Sequence, residues 1–468
     1  MAYKVIKRKT KYGTQLSIVN HVAGKSKYIK TIGTAKDATQ LIELHSKASL
    51  QINSLEENLW STLNNEKASA EPIRLKGYKV EKTLLNVLYT SLETQFDSVI
   101  QDPICKLFRD LCILRITNPR SKKESVEQLK ELFDLEYSLD QIYYLKKKLK
   151  ESKDILTKQI VQTLSGGDFR LVFYDVTTVY FESFTEDDLR KRGFSKDNKF
   201  NQPQLVIGLL VNVYGIPLDY EVYPGNKFEG HTFIPSIKSF IKKYSIGELT
   251  VVADAAMMSK ITFQELQDAG LKYIIGARLG NLKSQTFNKL IENFKKINNE
   301  TIRMDDLVVH YSAVRARKDR SDRIKQIEKA KRLMLKPLKK NLKFLTKKGP
   351  DNYEMNSEMI RKAEALEGLK GYYTNLKIPN IVVVETYANL WKIEYNFRVT
   401  KSDLALRPIY HYKEDGIKLH LLICFVALAI SRKIEIEHHC SIKRFVHEKS
   451  KEKEVHFRSL STNQVFIV

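Results

Sequence analysis

The stretch LVFYDVTTVYFES (residues 171–183) has the composition of a strand, yet it carries a carboxylate, Asp175, near its middle. β-Branched and aromatic side chains fit a pleated, half-buried surface. With a period of two, Leu171, Phe173, Asp175, Thr177, Val179 and Phe181 share one face. An unpaired ionised carboxylate among apolar groups is costly, so it needs a cation, a metal or dense hydrogen bonding. Either Asp175 pairs with an arginine or faces water from an edge strand, or it is a catalytic or metal-binding group. The stretch alone leaves both readings open.

Working outward, PQLVIGLLVNVYGIPLDYEVYPGN (203–226) supplies two more strands around a Tyr-Gly turn. ELTVVADAAM (248–257) is an apolar run that ends in Asp254, between the helical HTFIPSIKSFIKKY and SKITFQELQDAG. LKYIIGAR adds another strand. This alternation predicts an α/β domain, a mixed sheet covered by helices. Residues 281–370 break the pattern and read as an insertion. Between Arg315 and Lys348 the chain has 15 Lys/Arg against three Asp/Glu, a density of charge that cannot be buried, so this stretch should lie outside the core sheet. Core-like patterning returns with GYYTNL, with IVVVETYANLWKIEYNFRVTKSDL and with a buried helix at 416–432. The charged segment from 433 is expected to be less ordered.

Upstream, residues 12–34 alternate as a hairpin and a helical stretch follows to about 67; EKASAEPIRLKG (66–77) reads as a linker. Residues 78–165 read as helices with lysines outside, either a DNA-binding unit or a scaffold with ordinary solvated lysines. The expected organisation is an N-terminal hairpin and helix arm (1–70), a helical DNA-binding domain (78–165), a core in two parts (168–280 and 371–432), a basic insertion (281–370) and a charged tail (433–468).

Composition narrows the partners. Lys+Arg outnumber Asp+Glu by 79 to 55, a net charge of +24, in a chain of 468 residues with 43% hydrophobic side chains. A folded protein so basic is expected to meet a polyanion, nucleic acid above all. Its four cysteines have no CxxC spacing, which argues against a zinc site and fits a reducing compartment. The start MAYKVIKRKTKYG has no apolar signal core, and LHLLICFVALAI (419–430) is too short to span a bilayer. A cytoplasmic, DNA-associated location is expected.

Three acids then stand out. Asp254 ends its strand where ligands bind in sheets with helical crossovers, although an Asx turn or helix N-cap would also explain it. Glu394 shares a helical face with Leu390, Phe397 and Lys401, although a surface pair with Arg398 would also explain it. Together, two strand carboxylates and one helical carboxylate suit hard divalent cations. Mg²⁺ is held by one or two carboxylates plus substrate phosphates. Two such ions serve an in-line phosphoryl displacement.

The ordered stretches NPRSKKES (118–125), YDVTTVYFES (174–183), GFSKDNK (193–199), GIPLDYEVYPGN (215–226), VVADAAMMS (251–259), YSAVRARKDRSDR (311–323), YYTN (372–375) and LWKIEYNFRVTKSDLALRPIYH (390–411) carry a resemblance. The chain resembles DDE transposases of the IS4 superfamily, nearest the IS1634-type group. The resemblance implies an RNase H-like core with an insertion between the second and third acids. It implies Asp175, Asp254 and Glu394 as catalytic and metal-binding residues, with two Mg²⁺ ions that Mn²⁺ can replace. The family's Tyr-Arg-Glu-Lys signature maps onto Tyr387, Leu390, Glu394 and Lys401, with Leu390 replacing the Arg. Lys392 or Arg398 is expected to supply that missing phosphate contact. Trp391 falls where some relatives use a Trp around a flipped base, and packing would equally explain it. Arg332, Lys336, Lys339 and Lys340 of the insertion are further expected DNA contacts. The implied activity is cleavage of terminal inverted repeats and strand transfer into target DNA, by a homodimer in the synaptic complex. The competing readings are a nuclease of the same fold without strand transfer, and a catalytically idle DNA-binding protein.

Overall fold

The structure is a computed structural model that describes the chain except residues 1, 23–24, 38–39, 42–43, 46, 49–51, 53–77, 102–104, 149–151, 168, 197, 335–342 and 350–352. The expected linker 66–77 and Lys336, Lys339 and Lys340 therefore lie outside the described residues.

The chain forms two compact units. The first comprises Met1–Lys79 with Arg458–Gln464. Its described residues include an antiparallel meander of β1 (Ala2–Thr10), β2 (Gly13–Val22) and β3 (Lys25–Ala35) around buried Leu16, Ile18 and Val19. The sequence pointed to a hairpin only. The extra strand β1 is dominated by Lys and Arg, which hides its pairing with β2.

The second unit comprises Val80–Phe457 with Val465–Val468. Its helical part contains α1 (Asn86–Asp97), α2 (Lys106–Thr117), α3 (Lys122–Phe133), α4 (Leu139–Lys148) and α5 (Ser152–Ser165). Ser121 and Glu124 form a reciprocal capping box at the start of α3, satisfying two otherwise orphan amides. Strands and helices then alternate: β4 (Leu171–Tyr180), β5 (Gln204–Asn212), β6 (Pro217–Pro224), α6 (Gly230–Tyr244), β7 (Thr250–Ala253), α7 (Lys260–Asp268) and β8 (Lys272–Ala277). The insertion holds α8 (Ser284–Asn293), β9 (Thr301–Met304), β10 (Leu307–Tyr311), α9 (Ala313–Leu333), the hairpin β11 (Leu345–Lys347) and β12 (Tyr353–Met355), and α10 (Ser357–Ala365). There follow β13 (Leu369–Thr374), α11 (Asn380–Ala388), α12 (Trp391–Arg398), α13 (Glu414–His438) and α14 (Ile442–Lys449).

One mixed eight-stranded sheet, in the order β9-β10-β13-β8-β7-β4-β5-β6, organises this unit. β4 runs parallel to β7 and antiparallel to β5. The period of two sorts its side chains as expected. Val172, Tyr174 and Val176 enter a core with Phe233 and Ile237 of α6. Phe173, Val179 and Phe181 enter the other core, with Ile393 of α12 and the apolar length of α13. Gly208 on β5 makes room for this arrangement, because a Cβ there would lie 2.5 Å from the Tyr174 hydroxyl. Of the helices of 86–165, α1, α2, α4 and α5 pack on α13, and α3 adds Leu129 and Phe133 to the same core.

Two expectations change. The insertion keeps its basic helix outside the sheet, but its hairpin β9–β10 joins the sheet through β13 because Val308 and Val309 are buried. The segment from 433 is also more ordered than its charge suggested: α13 runs to His438, and Ile442 and Phe445 of α14 are buried.

Asp219 on β6 is buried and accepts from Lys243 Nζ of α6 at 2.9 Å, while the same ammonium reaches Asp154 of α5 at 2.6 Å. Removing the Lys243 ammonium would leave buried Asp219 with only the more distant Lys153, at 3.6 Å. Lys243→Met is therefore expected to destabilise this unit by about 3 kcal/mol, read as a lower denaturant midpoint.

Candidate active site

Parallel pairing of β4 and β7 aligns Tyr174 with Ala253, so the next residues in register are Asp175 and Asp254. Neighbouring strands lie about 4.8 Å apart, which brings the two acids together at one edge of the β7 terminus. Asp175 is half-buried and accepts from the Val176 amide at 2.7 Å. Burial pushes its carboxyl up to about 6; the Lys196 ammonium and the Val176 amide oppose the shift, and Asp254 and Glu229 add to it. An arginine partner is not what balances Asp175. Lys196 is the opposing cation, with its Nζ 2.7 Å from the Val176 carbonyl and 3.1 Å from Glu229.

Asp254 begins a short 3₁₀ turn, but its side chain makes no capping bond. Its Oδ1 instead accepts from the Tyr387 hydroxyl at 3.1 Å. Burial, then Asp254, push that phenol up, so it remains a neutral donor. Gly276 allows the contact, since a Cβ there would lie 2.5 Å from the Tyr387 hydroxyl.

Glu394 lies on α12, which packs on β4 and β5 over the face that Asp175 occupies. It is exposed and makes no hydrogen bond or ion pair among the described residues. The surface pair with Arg398 does not form, because that guanidinium lies over the Tyr395 ring at 4.7 Å. Lys370 of β13 links the second and third acids electrostatically. Burial, then Arg315, push its ammonium down, while Asp254 and Glu394 pull it up. Its Nζ sits 4.5 Å over the Tyr387 ring. Asp254, Tyr387, Lys370, Arg315 and Lys343 line one cleft of about 600 Å³ that leads towards the insertion.

The remaining expected contacts divide. Trp391 is 54% exposed and meets Tyr395 edge-on, and Arg398 is exposed. Lys401 is half-buried on the π-turn Val399–Asp403. Lys392 is turned away, donating to the Val213 carbonyl in the β5–β6 turn, and burial and Arg432 lower its pKa. Leu390 is buried in the core with Ile393. Arg332 is exposed at the end of α9. Lys196, Glu229, Arg315 and Lys370 were not singled out from sequence. Lys196 and Arg315 had a signal, as parts of GFSKDNK and YSAVRARKDRSDR.

Two adjacent carboxylates, one with its charge disfavoured by burial, make a donor set that suits a cation. Among the described residues, no three His, Cys, Asp or Glu side chains gather into a ready metal cage. Mg²⁺ does not require one, because phosphates of the substrate complete its shell.

Residues 166–430 match the family model described as "Transposase DDE domain". No curated protein matches the chain. Among solved structures, a synaptic complex of piggyBac transposase with hairpin DNA aligns at 10% identity and a TM-score of 0.38, covering 78% of this chain and 70% of that one. A Mos1 transposase paired-end complex aligns at 12% identity and a TM-score of 0.17, covering 37% and 59%. An Argonaute of Marinitoga piezophila with guide RNA aligns at 9% identity and a TM-score of 0.22, covering 82% and 74%. Scores this low say nothing about shared chemistry.

Proposed function

The chain belongs to the transposase DDE domain family, and from that membership we propose that it is a DNA transposase of an insertion sequence. The observation that carries this reading is the side-by-side placement of Asp175, midway along β4, and Asp254, just past the end of the parallel β7, within the matched segment. The order β6-β5-β4-β7-β8 with its helical crossovers supports an RNase H-like core, and the ordered motifs support the IS4, IS1634-type group.

In this reading Asp175, Asp254 and Glu394 hold Mg²⁺ or Mn²⁺. Bound there, two such ions would lower the cost of forming the attacking oxygen and stabilise the leaving one. The chain's own residues do the rest. Tyr387 orients the Asp254 carboxylate through its hydrogen bond. Lys370, which lines the cleft with Asp254 and feels the charge of both Asp254 and Glu394, would meet an approaching phosphate and take the role of the Arg that Leu390 replaces. Trp391, Arg398 and Lys401 of the α12 region contact the DNA end, and the free face of α9 contacts its flank. Water first cleaves the phosphodiester at a terminal inverted repeat. The released 3′-OH then attacks a target phosphodiester, with a homodimer bridging two ends. Among the described residues no helix is long and apolar enough to cross a membrane, which is compatible with a cytoplasmic, nucleoid-associated enzyme.

Incubation with Mg²⁺ and DNA carrying the sequences that flank the gene tests this directly. Joined products support transposition. Nicking without joining would replace it with a nuclease, and binding without either would leave an idle DNA-binding protein.

A pH dependence follows from Asp175. Its carboxyl is raised from an ordinary value near 3.9 to about 6. In metal-free protein this opposes folding above about pH 6, and the penalty is relieved as pH falls through about 6 towards about 4. A cation must displace that proton, so affinity should drop roughly tenfold per unit below about pH 6. The rise in melting temperature caused by Mg²⁺ should accordingly shrink between about pH 7.5 and pH 5. A rise independent of pH would exclude Asp175 as a ligand.

A further inference from the structure

The β4–β5 loop combines a tightly held backbone with aromatic rings left in water. Gly193 admits no side chain, since a Cβ there would lie 2.2 Å from the Gly225 carbonyl oxygen. The Gln204 side chain is fully buried and donates to the carbonyls of Phe194 and Gly225, both at 2.9 Å. Ser195 is 2% exposed, and its hydroxyl accepts from the Lys199 amide at 3.1 Å. The Lys196 amide donates to the buried Thr178 hydroxyl at 3.1 Å. Within this frame Phe194 is 76% exposed and Phe200 52% exposed, with ring centroids 6.4 Å apart.

Apolar rings are normally left in water by loose segments, where ordering costs more than burial returns. Here the backbone is fixed and the rings are still outside. The loop also has a direction. Lys196 reaches the carbonyl of Val176, next to Asp175, and its charge acts on that acid. Arg192, Lys196 and Lys199 alternate with the two phenylalanines along the loop, and Lys199 Nζ lies 5.4 Å over the neighbouring Tyr180 ring. Aromatic faces interleaved with cations are what unpaired nucleotides bind, the bases by stacking and the phosphates by charge.

We infer that Phe194 and Phe200, held by the backbone contacts of residues 193–196 and 199, form a platform that stacks unpaired bases of the DNA beside the phosphate that Asp175 serves. The inference rests on the transposase reading and names a substrate feature for it: locally unpaired DNA at the cleavage point. The fixed backbone means the platform is organised before DNA arrives, so little ordering cost is set against stacking.

The test uses the full chain without divalent metal, so that nothing is cut, and two probes: a blunt duplex, and the same duplex with a short single-stranded extension. Wild type should bind the extended duplex roughly tenfold more tightly, the size expected for stacking one base. Phe194→Ala with Phe200→Ala should erase that preference and leave blunt-duplex affinity and melting unchanged, because both rings are exposed. Phe194→Trp with Phe200→Trp should retain the preference. Equal binding of the two probes by wild type, or a preference that survives the double alanine change, would overturn the platform alone. Binding of neither probe would overturn the DNA reading along with it.

Discussion

Glu394→Gln is expected to bind element-end DNA like wild type and to lose both nicking and joining by roughly a thousandfold or more. The substitution keeps size and hydrogen-bonding capacity but removes the negative charge a cation needs, and the transition-state stabilisation at stake is several kcal/mol. Glu394 is exposed and has no partner among the described residues, so its loss should leave the melting temperature unchanged. Asp175→Asn and Asp254→Asn should be equally inactive. Lys401→Ala should only slow the reaction by weakening phosphate positioning. Wild-type rates for Glu394→Gln in Mg²⁺ would make α12 a structural helix and take the active site from the account.

The second large effect is on binding. Helix α9 divides its cations by face. Arg320 and Arg323 turn to buried Glu367, at 3.1 and 2.7 Å, and Arg315 pairs with Asp319 at 3.4 Å. Lys318, Lys325, Lys329 and Arg332 lie on another face, exposed and without ion pairs among the described residues. Changing these four to Glu should weaken DNA binding by roughly three orders of magnitude near 0.1 M salt, and flatten the dependence of affinity on salt by about four charges. The paired face would be untouched, so stability should hold. An unchanged affinity and salt slope would make this side of α9 merely solvated.

Much of the core was legible because it depends on local periodicity. The alternation along 171–181 correctly sorted the two faces of β4, and the apolar run before Asp254 marked a buried strand end. Two innocuous explanations of the acids also resolved on geometry: the Asp254 side chain does not cap its turn, and Glu394 does not pair with Arg398. What stayed hidden depends on contacts between distant segments. Lys370 reaches the site because β13 pairs with β8, aligning Tyr372 with Gly276. No local pattern reports that register. Lys392 was expected to stand in for the Arg that Leu390 replaces, yet the β5–β6 turn presents a carbonyl to it. Charge misled in both directions, hiding strand β1 behind its lysines and making the segment after 433 look looser than its buried Ile442 and Phe445 permit.

The central claim is that Asp175, Asp254 and Glu394 form one cation site at a DNA phosphate. Anomalous diffraction from Mn²⁺-loaded crystals of the protein with a cleaved DNA end tests it most directly. The account predicts manganese bound by the carboxylates of Asp175 and Asp254, with Glu394 and a DNA phosphate completing the shell, at metal–oxygen distances of about 2.1–2.2 Å. Manganese elsewhere on the protein, or at the two aspartates with Glu394 turned away while the DNA end is in place, would contradict it.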